Sequence, residues 1–142
     1  MTSFTSRYGN PAADYQGAHI RGHSRHGATV VTVSGRIDAR NLDPIIDYVA
    51  RFVLPDTPFV IDLSAVTVFS PKAAELLDAV EHRCAAAGVS WALVSGAVVN
   101  RRLGRRIEVL PVIESVAEAE HQFDDAVLKR RRMLLPLLRK TA

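Results

Sequence analysis

Apolar residues along this chain follow two alternating rhythms. Ala28-Thr29-Val30-Val31-Thr32-Val33-Ser34-Gly35 is short and β-branched, which predicts a strand. After Asp38 the spacing turns helical: Leu42, Ile45, Ile46, Val49, Phe52 and Val53 share a face, with Asp43 placed to cap the helix and Pro44 as its first helical residue. Pro55 and Pro58 end it. Phe59 to Leu63 is a continuous apolar run broken only by Asp62, the pattern of an interior strand covered on both faces. Over residues 72–87, Ala73, Leu76, Leu77, Val80 and Cys84 form the stripe of a second helix, with Glu75, Asp78, Glu81 and Arg83 off it. Gly88 is placed to stop that helix in the left-handed conformation.

The same alternation continues downstream. Residues 89–94 predict a strand, Val98 to Ile107 a short basic helix, and Leu110 to Ile113 a brief strand. A final helix from about Val116 carries Val116, Ala119, Phe123, Ala126 and Val127. Strands alternating with helices predict a layered α/β domain. Two stretches fall outside the rhythm. Residues 1–17 mix Gly, Pro, Ser, Thr, Asn and Gln without period and read as a flexible N-terminal arm. Residues 129–142 are basic and Leu-rich, and Pro136 ends or kinks any helix there. That tail is expected to lay its leucines on the body or on a second copy, with membrane-surface or nucleic-acid contact as the alternative.

Composition narrows the picture. With 142 residues and 48% apolar content, the chain has material for one domain with its own core. The single cysteine, Cys84, excludes an internal disulfide and a multi-cysteine metal site, and its helical setting predicts core packing. No segment approaches the roughly 20 apolar residues that cross a bilayer, and no secretory pattern opens the chain, so a cytoplasmic protein without a membrane span is expected. The net charge of +3 is unevenly spread, since ten of the 18 Lys and Arg residues lie after position 100.

Catalytic chemistry finds little support. No phosphate-cradling glycine motif occurs, and Asp38 and Asp62, both at strand ends, are weak grounds for acid and base work in a chain with 15 acidic residues. His19, His23 and His26 lie in a stretch of Gly and Ser that suits an exposed edge strand or loop, so no metal and no cofactor are expected. Ser70-Pro71 fits a helix start, with the Ser70 hydroxyl accepting a backbone N–H bond and Glu75 in the early helix. A loop feeding a helix at the end of an interior strand is also exposed and firmly supported, as a recognition surface requires. Arg101, Arg102, Arg105 and Arg106 would form a broad basic patch on one helix, able to meet phosphate or an acidic partner. Without interleaved aromatics, nucleic acid is a minor option. A binding protein, not an enzyme, is the expectation.

Two stretches carry a family resemblance: Val33-Ser34-Gly35-Arg36-Ile37-Asp38, and Val60 to Leu77 with Val60-x-Asp62-Leu63-Ser64 and Thr67 before the loop. With the order of elements and Glu118-Ala119, they resemble the STAS family, the sulfate-transporter and anti-sigma-factor-antagonist domain, from about Ala28 to Phe123. The resemblance implies a STAS-like mixed β-sheet of four to five strands with about four helices, mainly on one face, over residues 18–128. It further implies a regulatory domain that binds an ATP-dependent anti-sigma kinase through Asp38, Phe69, Ser70, Pro71, Lys72, Ala73 and Glu75. In that family the switch loop reads Asp-Ser-Ser-Gly and its second Ser is phosphorylated. Here Ser70-Pro71-Lys72-Ala73 takes its place, so Lys72 stands at the acceptor position and the usual switch is lost. Ser70 is the displaced candidate for phosphorylation. The alternative is a STAS scaffold that pairs with itself, with another regulator, or with a small anion or nucleotide.

Overall fold

The computed structural model describes residues 2–5 and 11–119. Strands β1 (Thr2–Thr5), β2 (Pro11–Tyr15), β3 (Ala18–Arg25) and β4 (Ala28–Ile37) form an antiparallel meander. Two-residue turns with positive φ at both positions, Gln16-Gly17 and His26-Gly27, join β2 to β3 and β3 to β4. This mirror-image geometry matches the strand twist and fixes the register, so His19–His26 lies in β3 and its turn.

Helix α1 (Leu42–Ala50) follows, then β5 (Phe59–Asp62), β6 (Val66–Phe69), α2 (Glu75–Ala87), β7 (Trp91–Val94), α3 (Gly96–Leu103) and β8 (Val112–Ile113). The sheet is mixed and eight-stranded, in the order β1-β2-β3-β4-β5-β7-β8, with β6 paired to β4. Strand β4 is long enough to serve both β5, along Thr29–Thr32, and β6, along Gly35–Ile37, each in parallel. The expected STAS-like mixed sheet is therefore present, with more strands than the four to five expected. The extra strands are β1 and β2, which replace the structureless arm in residues 2–5 and 11–15, and β6, which the hydrophobic pattern does not single out; Ala13 and Tyr15 are buried in β2.

Side-chain alternation divides the core between the two faces of the sheet. Val31, Val33, Ile61 and Leu93 join Leu42, Ile45, Leu76, Leu77 and Val99 from α1, α2 and α3. Val30, Val60, Ala92 and Val94 join Ile113, Ala119 and the partly buried Val116. Phe59, Val60, Ile61 and Leu63 are each buried to within 1% of completely, as a strand covered on both faces demands. Cys84 is buried in the first cluster, and burial pushes its thiol up to about 11.

Helix boundaries differ from expectation in instructive ways. Helix α1 starts two residues early, with Asn41 before it, so Asp43 and Pro44 occupy the second and third helical positions. Proline is tolerated there because the first N–H groups of a helix lack intrahelical partners. A 3-10 turn, Pro71–Ala74, precedes α2, and Gly88 closes α2 at φ 69°. The basic helix expected over residues 98–107 is broken: α3 ends at Leu103, and Gly104–Val109 is a 3-10 segment. The chain is helical again over residues 116–119; the expectations for Phe123, Ala126, Val127 and the tail 129–142 lie outside the described residues.

Candidate docking face

The parallel pairing of β4 with β6 brings the two resemblance-bearing stretches together. Ile37 lies opposite Phe69, so the strand exits at Asp38 and Ser70 leave the sheet side by side. Gly35 makes this possible. Its φ is +86°, and a Cβ there would stand 2.2 Å from the Gly17 carbonyl oxygen, which accepts the Arg36 N–H at 2.9 Å.

Asp38 is half-buried and locally engaged. One carboxylate oxygen meets Arg36 Nε at 3.2 Å and the other accepts the Arg40 N–H at 2.9 Å. Its own N–H donates to Asn41 Oδ1 at 3.0 Å. Asn41, 1% exposed, holds the exit together: Nδ2 donates to the Arg36 carbonyl at 2.8 Å and the Tyr15 carbonyl at 3.0 Å. One side chain thus ties the end of β4, the end of β2 and the start of α1. Sequence reasoning missed Asn41; the available signal was a capping-type residue three positions after the strand exit.

The loop after β6 is fixed at three points. The Ser70 N–H donates to the Ile37 carbonyl at 3.0 Å, the Ala73 N–H to the Ser70 carbonyl at 3.0 Å, and Arg102 Nε to the Phe69 carbonyl at 2.9 Å. Ser70 occupies the position before the 3-10 turn with Pro71 at its start, but its hydroxyl makes no capping bond and is buried without a partner. The expected side-chain cap is therefore absent. Phe69 and Ala73 are buried and act as anchors; Pro71, Lys72 and Glu75 are exposed. The face presented outward consists of Pro71, Lys72 and Glu75, with half-buried Asp38 beside them.

The four arginines do not share one helix face, because the helix stops between the pairs. Arg102 is bound to the loop, and Arg106 in the 3-10 segment pairs with Asp78 of α2 at 3.1 Å. Among the described residues no ion pair engages Arg101, Arg105 or Lys72. A cleft of about 320 Å³ lies between β6 and α3, lined by Thr67, Val68, Phe69, Val98, Arg101 and Arg102.

Elsewhere the candidate chemistry is structural. Asp62 Oδ1 accepts the Ser64 N–H at 2.9 Å and the Ser64 hydroxyl at 2.6 Å, closing the turn after β5. His19 contacts Asp14 across β2 and β3 at 2.6 Å. Among the described residues, no group of three His, Cys, Asp or Glu residues is placed to hold a metal ion.

Comparison with known proteins agrees with this geometry. The STAS domain matches residues 19–123. Osmosensory protein A of Mycobacterium tuberculosis is 43% identical over 146 residues, spanning 99% of this chain and 92% of that protein. An anti-sigma factor antagonist from Mycobacterium paratuberculosis superposes with a TM-score of 0.57 at 20% identity, covering 82% of this chain and 95% of the other. The unphosphorylated anti-sigma factor antagonist SpoIIAA superposes with a TM-score of 0.56 at 10% identity, covering 79% and 96%. Those two likenesses establish the fold. Among the described residues no helix is long and apolar enough to cross a membrane. The paired strand exits, the fixed loop between β6 and α2, and the match over residues 19–123 lead to one conclusion: the chain belongs to the STAS domain family.

Proposed function

We propose that this STAS domain is a regulatory docking module of the anti-sigma-factor-antagonist type. Its partner on this reading is an ATP-binding anti-sigma kinase, engaged by Asp38, Pro71, Lys72, Glu75 and the first turns of α2. The observation that carries it is the loop itself: backbone fixed at Phe69, Ser70 and Ala73, with the Lys72 side chain exposed at its crest. A rigid backbone lowers the ordering cost of association, and an exposed cation selects an acidic complement. Two structural neighbours being anti-sigma factor antagonists supports the partner class.

Control by phosphate at the loop is not part of this reading. Lys72 cannot accept phosphate as serine does, and the Ser70 hydroxyl is buried. The relative named for osmosensing favours osmotic stress as the input that governs docking. No catalytic step is assigned to the protein.

The test is capture from extracts of the native cell with the purified chain and its Lys72→Glu variant, read by mass spectrometry. A small ATP-binding anti-sigma protein should be retained by the wild type and lost by Lys72→Glu, with the melting temperature changed by less than about 2 °C, as for an exposed substitution. Capture unaffected by Lys72→Glu would remove the loop from the interface. Recovery of only a second copy of the chain would turn the reading to a self-pairing scaffold.

A further inference from the structure

We propose that the cleft between β6 and α3 receives an acidic side chain, with an adjoining apolar residue, from a protein segment docked beside the loop. The inference rests on the docking reading only for which protein brings that segment. A volume of about 320 Å³ holds one or two side chains. Arg102 is set in place by its Nε–H bond to the Phe69 carbonyl, which uses one edge of the guanidinium. Its terminal nitrogens make no hydrogen bond among the described residues, so the fork is pre-oriented for a carboxylate. Arg101 lines the same cleft and is exposed.

Among the described residues none that lines the cleft is acidic, so the two like charges face each other uncompensated there and an incoming anion relieves their repulsion. Val68, 39% exposed, and half-buried Val98 supply the apolar strip that a bare oxyanion would leave uncovered. That strip favours a carboxylate carried next to an apolar residue over a free phosphate.

The test is an amide and arginine Nε–H NMR titration of the isolated full chain with an amidated hexapeptide of alternating glutamate and leucine. Parallel titrations use the same peptide with glutamine for glutamate, and inorganic phosphate. Shifts confined to residues 67–69 and 98–102, with at least tenfold weaker binding of the glutamine peptide, are expected. Arg101→Glu should abolish them. Arg102→Glu should do the same, and the Arg101 variant keeps the test sound if loss of the Phe69 bond disturbs the loop. Equal shifts with phosphate alone, or shifts spread over Arg105, Arg106 and the N-terminal arginines, would overturn the proposal, as would no shift at all. Because no partner protein is used, failure here leaves the Lys72 docking face standing, and failure of that face leaves the cleft standing.

Discussion

Asn41 and Ser70 show how differently two polar residues at neighbouring strand exits can act. Asn41 is buried with both amide groups used, and removing it takes the acceptor from the Asp38 N–H and a donor from each of the Tyr15 and Arg36 carbonyls. Asn41→Ala should cost about 3 kcal/mol in urea denaturation, since buried groups left unpaired carry their full desolvation penalty. A loss under about 1 kcal/mol would mean that water replaces the side chain. Ser70 has the opposite balance: its hydroxyl is already buried without a partner. Ser70→Ala should leave stability unchanged or raise it by up to about 1 kcal/mol, whereas loss of a true helix cap would lower it by about that much. A clear destabilisation would show that the hydroxyl is bonded after all.

At the scale of elements, α2 offers a test through its one thiol. Burial holds the folded-state pKa of Cys84 near 11, above the ordinary thiol value of 9.0. The folded protein therefore keeps the proton while the unfolded chain loses it, so this residue's contribution to stability is present below about pH 9 and declines as pH rises toward 11. Cys84→Ala should fall less steeply than wild type across that window in chemical denaturation at stepped pH. Parallel slopes would place the thiol in contact with solvent. The elements also show what was legible in the sequence. The Phe59–Asp62 strand and the α2 stripe were readable because burial on two faces and on one face leave different periods in the residue order. Strand β2 was not, because Pro-Ala-Ala-Asp-Tyr has little β-branched character and owes its place to pairing with β3. The break at Gly104 was also missed: the arginines around it kept helical spacing in the sequence while the backbone, at φ 55° and ψ −125°, did not. At the site, Glu75 stands off the apolar stripe in the sequence and is exposed, as is Lys72, and Ala73 lies on that stripe and is buried; Phe69 and Ala73, which the family resemblance also counts as contact residues, lie inside.

For the whole molecule, the N-terminal hairpin and the paired strand exits at Asp38 and Ser70 form one unit. Asn41 reaches back to the Tyr15 carbonyl, Arg36 to the Gly17 carbonyl, and Tyr15 packs its ring 5.6 Å from that of Tyr48 on α1. Deleting residues 1–17 should lower stability by at least about 3 kcal/mol, from the exposed apolar surface and the abandoned hydrogen bonds together. Thermal unfolding followed by circular dichroism would show it, and an unchanged melting temperature would refute it. The β2–β3 turn therefore stands just outside the stretch that matches the STAS domain, residues 19–123, while its hydrogen bonds reach into that stretch. A protein trimmed to its family signature would keep every residue of the loop between β6 and α2 and lose the abutment against which the neighbouring strand exit is braced.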